Sequence, residues 1–251
     1  MLHELTKPQF DALSELLFPF GQPAALAEDT IRELEQLGYL SHGRPTAAGR
    51  EAMEPYRVRR AVFLAAGIEE IYLVRGYLAE QFDQLRYQYP MIRFLENPVY
   101  NETNNISSAL CARHLLSNAY VLEADLVLHA PGLIQPYQYR SNFLAIPKQR
   151  TDDWCFEVED GVITEEKIGG ERCWQMVGIS YWDRPDGEKL ARDLKEVYEQ
   201  PGGRERYWEQ VPLTFRRENY RVSVRPCRDG DITEIDTFRE LKAFDKSYDI
   251  G

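Results

Sequence analysis

Asp125 closes a short apolar run. Tyr120, Val121 and Leu122 are followed by Glu123 and Asp125, and apolar residues resume up to Leu128. A run of this length, bounded by Asn118 and by Pro131-Gly132, predicts a buried strand. A carboxylate at the C-terminal end of a parallel strand sits where open α/β sheets bind ligands. There Asp125 could hold a divalent metal against a nucleotide phosphate, or it could simply cap a turn. Other chemistry is poorly supported. His3, His42, His114 and His129 form no catalytic arrangement, and Cys111, Cys155, Cys173 and Cys227 lie far apart with no C-x-x-C pair. Neither a zinc site nor a disulfide framework is suggested.

The elements that must position Asp125 begin at Ala61. Residues 61–64, 71–74 and 92–95 read as buried strands, and residues 78–89 and 106–116 as helices. Strand and helix alternate, so a parallel sheet covered on both faces is the economical arrangement. Right-handed crossovers would then bring Gly67, Gly76, Asn97 and Asp125 to one rim. Ahead of this body, Thr6-Lys7-Pro8-Gln9 predicts a capped helix start. A second helix spans residues 29–37, with Gly38 ending it. Tyr39-Leu40-Ser41 predicts a strand, His42-Gly43-Arg44-Pro45 a turn, and Thr46 opens another helix.

Composition narrows the classes. The chain has 251 residues, 43% hydrophobic and 28% charged, which is ordinary for a soluble globular protein. Its formal net charge of −11 argues against a nucleic-acid coat or an anionic-membrane binder. No apolar stretch approaches the roughly 18 residues of a spanning helix, and no basic-then-apolar leader opens the sequence. A reducing cytoplasm is the expected compartment.

Two resemblances sharpen this reading. Residues 5–55, and above all residues 38–52, resemble the end of a winged helix-turn-helix domain. That implies a module at residues 1–57 for DNA or for packing. Residues 1–60 carry seven Lys/Arg against nine Asp/Glu, a poor balance for meeting phosphates. Residues 61–67 (A-V-F-L-A-A-G) look like the opening strand of the nucleoside-diphospho-sugar-type nucleotidyltransferases. Residues 68–81, 97–108 (N-P-V-Y-N-E-T-N-N-I-S-S), 120–125 and 178–183 (G-I-S-Y-W-D), with Glu234-Ile235-Asp236, are similar to the bacterial CTP:phosphocholine cytidylyltransferases. The match runs over residues 61–243.

The resemblance implies a Rossmann-like three-layer α/β domain with a mostly parallel sheet at residues 58–251, behind the small winged-helix-like domain. It implies transfer from CTP to phosphocholine, giving CDP-choline and pyrophosphate. Asp125 and Asp236 would match the family's catalytic metal ligands and hold Mg²⁺. Ala65, Ala66, Gly67, Gly76, Asn104, Asn105 and Ser108 would lie against the nucleotide, although Asn105 could equally cap the helix at Ile106. Trp154, Tyr207 and Trp208, with Glu209, would form the cage for a quaternary ammonium. Trp182 reads as core and Trp174 as packing, and Lys167 as a solvated lysine.

One departure stands out. Gly67 runs directly into Ile68-Glu69-Glu70, where these enzymes carry a Gly-rich loop with Arg, a Pro-Lys segment and a crossover helix. The winged-helix pattern is also short near Glu28. Residues missing at both places would account for both shortfalls; a true deletion would leave a chain that binds CTP poorly. Two alternatives follow: a sugar-1-phosphate nucleotidyltransferase, or a DNA-binding regulator that senses CTP or CDP-choline without turnover. Oligomeric state is left open, a homodimer included.

Overall fold

The computed structural model describes residues 4–18, 26–57 and 70–248, in two compact units. The expected strand at residues 61–64, with Ala65, Ala66 and Gly67, lies outside the described residues.

The N-terminal unit holds α1 (Lys7–Leu17), α2 (Glu28–Gln36), β1 (Leu40–Ser41), β2 (Arg44–Pro45) and α3 (Ala47–Met53). The capping box forms as expected: Thr6 accepts from the Gln9 N–H, and the Gln9 side chain accepts from the Thr6 N–H at 3.1 Å. β1 and β2 pair antiparallel around His42-Gly43, both at positive φ, the twist that a two-residue hairpin requires. Thr46 caps α3 through the Gly49 N–H at 3.1 Å. A five-residue stretch from far along the chain, Gln135–Tyr139, belongs to this unit too. Tyr139 stacks on Tyr56 at 5.6 Å and donates its hydroxyl to the Leu5 carbonyl at 3.1 Å. Tyr137 is buried in the same core as Phe10, Leu13, Leu34 and Met53.

In the second unit, β3 (Ile71–Arg75) pairs in parallel with β4 (Ile92–Glu96), as the alternation of elements predicts. The helix expected between them is reduced to a 3₁₀ turn, Ala79–Phe82, and the single-turn α4 (Leu85–Gln88). Leu78 at φ 50 interrupts the run, and Tyr77, Phe82 and Tyr87 are exposed, so no buried face sustains a longer helix. α5 (Ile106–Ala112) packs on β3 and β4 and leads through a 3₁₀ turn to β5 (Ala119–Leu122).

From β5 onward the parallel expectation is overturned. After β6 (Leu126–Leu128) come two long strands, β7 (Asn142–Glu159) and β8 (Val162–Trp182), joined by the tight turn Asp160-Gly161. β5 pairs antiparallel with β8, and β8 antiparallel with β7. β9 (Ser223–Pro226) then adds in parallel to β7, giving the order β5-β8-β7-β9. The sheet is therefore mixed, and β5 enters it beside an antiparallel neighbour. α6 (Arg184–Glu199) follows β8 at once, capped by Asp183, whose carboxylate accepts the Asp186 N–H at 2.9 Å. β10 (Ile232–Glu234) and α7 (Phe238–Phe244) complete the unit. Its core gathers Phe143, Phe156, Trp182, Leu190, Leu194 and Trp208. Trp182 is fully buried there and Trp174 packs against it, as expected.

Candidate active site

Asp125 lies in the turn between β5 and β6. β6 pairs antiparallel with β10, with Leu126 opposite Glu234, and the Ile235 N–H donates to the Asp125 carbonyl at 3.0 Å. This pairing joins two distant i, i+2 acidic pairs, Glu123-x-Asp125 and Glu234-x-Asp236. Carboxylate oxygens of Glu123, Asp125 and Glu234 lie within 4.8 Å of one another. Three hard oxygen donors at this separation fit a divalent cation such as Mg²⁺. Asp236, expected as the second ligand, is not one of these three. It is exposed and follows β10, and its charge acts on both Glu123 and Glu234. Glu123 and Glu234 are the residues that sequence reasoning missed.

Burial, reinforced by neighbouring carboxylates, pushes both missed groups up to about 7. The charges acting on Glu123 are all acidic: Glu209, Asp125, Asp153 and Asp236. Holding so many carboxylates together is unfavourable without a cation. Gly178 makes room for one of them. It sits in β8 at φ 65, its carbonyl accepts the Glu123 N–H at 3.0 Å, and a Cβ there would come 2.0 Å from Glu123 Oε2.

A cavity of ≈ 590 Å³ opens beside these carboxylates. Among the described residues its wall includes Tyr72, Val74, Asn105, Ser108, Glu123, Asp125 and Trp208. Its volume is in the range of small-ligand sites. Asn105 does not cap α5 with its side chain; its Oδ1 instead accepts the Trp208 N–H at 2.8 Å, tying the helix start to the aromatic segment. Asn104 is occupied elsewhere, its N–H donating to the Arg204 carbonyl at 2.8 Å and its amide to the Glu205 carbonyl at 3.3 Å. Ser108 accepts from the buried Asn97 amide at 3.0 Å. Gly76 lies against the Tyr100 ring, where a Cβ would meet the ring at 2.4 Å. Its lack of a side chain answers to packing.

The expected aromatic cage forms only in part. Trp154 and the exposed Tyr207 meet edge to face at 5.7 Å. Trp208 is 8% exposed, stacked on Phe143 at 6.1 Å and edge to face with Trp182 at 6.0 Å, so its ring is packed into the core while the residue also lines the cavity. Glu209 is 3% exposed; burial pushes it up to about 7, against the pull of a hydrogen bond from Asn105. Lys167 pairs with Glu157 at 2.5 Å.

The parallel β3–β4 pair, α5 packed on it and the mixed sheet define an α/β nucleotidyltransferase-like fold. The chain superposes with a TM-score of 0.66 on the CTP:phosphocholine cytidylyltransferase LicC of Streptococcus pneumoniae, at 23% identity, over 83% of this chain and 87% of that one. No protein-family model matches. The chain is 36% identical over 189 residues to a 2-aminoethylphosphonate cytidylyltransferase of Lancefieldella rimae, covering 74% of this chain and 76% of the relative. It is 26% identical over 182 residues to a choline-phosphate cytidylyltransferase of Streptococcus pneumoniae, covering 72% and 78%. The chain belongs to the cytidylyltransferase family and is a nucleotidyltransferase. Among the described residues no helix is long and apolar enough to cross a membrane.

Proposed function

We propose that this chain transfers a cytidylyl group from CTP to a phosphate or phosphonate oxygen of a small ammonium-bearing compound, phosphocholine or 2-aminoethylphosphonate, releasing pyrophosphate. The observation that carries the reading is the convergence of Glu123, Asp125 and Glu234, the first two of them in the cavity wall, in a chain of this family. These carboxylates would hold Mg²⁺, with Asp236 next to them. Bound there, the ion would neutralise charge on the triphosphate. The cavity takes the nucleoside, with Asn105 and Ser108 in its wall. The Trp154–Tyr207 pair offers ring faces to a cation. The acceptor's oxygen attacks the α-phosphorus in line, and positioning rather than covalent catalysis carries the step. A true deletion of the Gly-rich, basic segment after Gly67 would raise the CTP requirement.

The test is pyrophosphate release from CTP and Mg²⁺ with each acceptor in turn, hexose-1-phosphate serving as the control. Release is expected with the ammonium compounds alone. Asp125→Ala should lower kcat by about 10² or more while the far-UV spectrum is unchanged. Folded protein that releases no pyrophosphate with any acceptor would sink the proposal.

A further inference from the structure

We infer that the ammonium end of this site is built for a primary amine, and that Glu166, paired with Glu209, is the residue that selects it. The inference rests on the cytidylyl-transfer reading above.

Glu166 reaches this corner through the hairpin. Across β7 and β8, Trp154 is opposite Ile168 and Phe156 opposite Glu166. Side chains two residues apart on a strand share a face, so Glu166 and Trp154 stand on the same one, a rung apart. One Glu166 oxygen accepts the Thr214 hydroxyl at 3.2 Å; the other, Oε1, is buried and has no hydrogen-bond partner. Glu209 follows the Tyr207-Trp208 aromatic pair and is almost wholly buried. Its Oε2 is likewise without a partner. The two carboxyl groups feel each other: the Glu166 charge is among those raising Glu209. Two unpartnered carboxyl oxygens are therefore buried on the same segments that carry the Trp154–Tyr207 ring pair.

A buried carboxylate oxygen without a donor is costly and calls for one. A primary ammonium carries three N–H donors and can serve both oxygens, with charge-assisted bonds. A trimethylammonium carries none and depends on ring faces and on the charge of a nearby carboxylate. Here the third ring of the expected cage, Trp208, is locked in the core against Phe143 and Trp182. The corner is thus short of rings and rich in acceptors, the balance that favours R–NH₃⁺ over R–N(CH₃)₃⁺.

The experiment compares 2-aminoethylphosphonate, phosphoethanolamine and phosphocholine on the full chain. Direct binding is measured by calorimetry, and turnover as pyrophosphate release with CTP and Mg²⁺. Wild-type protein is expected to bind the two primary amines at least about tenfold more tightly than phosphocholine. Glu166→Gln should erase most of that preference by raising KM for the primary amines about tenfold and that for phosphocholine far less. Equal or tighter phosphocholine binding by the wild type overturns the inference without any variant. So does a Glu166→Gln effect equal on all three compounds. Selective binding of the primary amines without pyrophosphate release would keep the ammonium assignment and remove the catalytic reading, so the two can fail separately.

Discussion

Glu209→Gln should make the ligand-free protein more stable, in a way that depends on pH. Burial moves the Glu209 carboxyl from an ordinary 4.5 to about 7. Each unit is worth about 1.4 kcal/mol, so charging this group in the folded state costs about 3 kcal/mol relative to the unfolded chain. The sign follows from proton counts. Between pH 4.5 and 7 the folded state holds a proton that the unfolded state has lost, so stability falls as pH rises through this window and levels off above it. Glutamine carries no charge to bury. Its carbonyl oxygen can keep the bond from Asn105. At pH 5 the variant and the wild type should be about equal; at pH 8 the variant should gain about 2–3 kcal/mol, or roughly 5–10 °C in Tm. All four tryptophans lie in the second unit, so urea unfolding followed by their fluorescence reports on the relevant part of the chain. A variant that is less stable at pH 8, or whose advantage does not change between pH 5 and pH 8, would refute the reasoning.

Two further outcomes test the framework that holds the site. Gly178→Ala places a Cβ 2.0 Å from Glu123 Oε2 at a backbone φ of 65, so it should cost about 2 kcal/mol in urea unfolding and weaken Mg²⁺ dependence by displacing Glu123. An unchanged unfolding midpoint would mean that Glu123 does not rest against that backbone. Trp208→Ala empties a core position between Phe143 and Trp182 and should cost about 3–5 kcal/mol, lowering activity through the fold. If instead it left stability intact and raised only the KM for phosphocholine, Trp208 would be a cage residue after all.

The sequence carried the apolar run that ends near Asp125 and the parallel pairing of residues 71–75 with 92–96. Both rest on local patterns, a short buried strand and the alternation of strand and helix. The long hairpin was missed although its turn, Asp160-Gly161, is among the stronger short-range hairpin signals. Strands of 18 and 21 residues with several register shifts do not keep the two-residue alternation that would have announced them. Glu123 and Glu234 were passed over for a related reason. Each stands two residues before an aspartate that the family pattern emphasised, and only the pairing of β6 with β10, about a hundred residues apart, brings them together. Burial also separated the aromatics. Tyr207 and Trp208 are neighbours in sequence, yet one faces solvent and the other fills the core, because backbone direction rather than residue type decides which ring is available.

The stretch Gln135–Tyr139 has a consequence for how this chain can be taken apart. The N-terminal unit is not a bead on a string, since its core is completed by side chains that arrive only after β6. Removing the first 57 residues would leave Tyr137 and Tyr139 without the rings and carbonyls that bury them, two aromatics on a segment that the remaining unit does not claim. Expressing those residues alone would leave the mirror-image defect, a core with its last tyrosines missing. The unit can therefore be exchanged or excised only together with its distant pentapeptide, and a lineage acquiring it by simple fusion at one end would have had to graft that second piece as well.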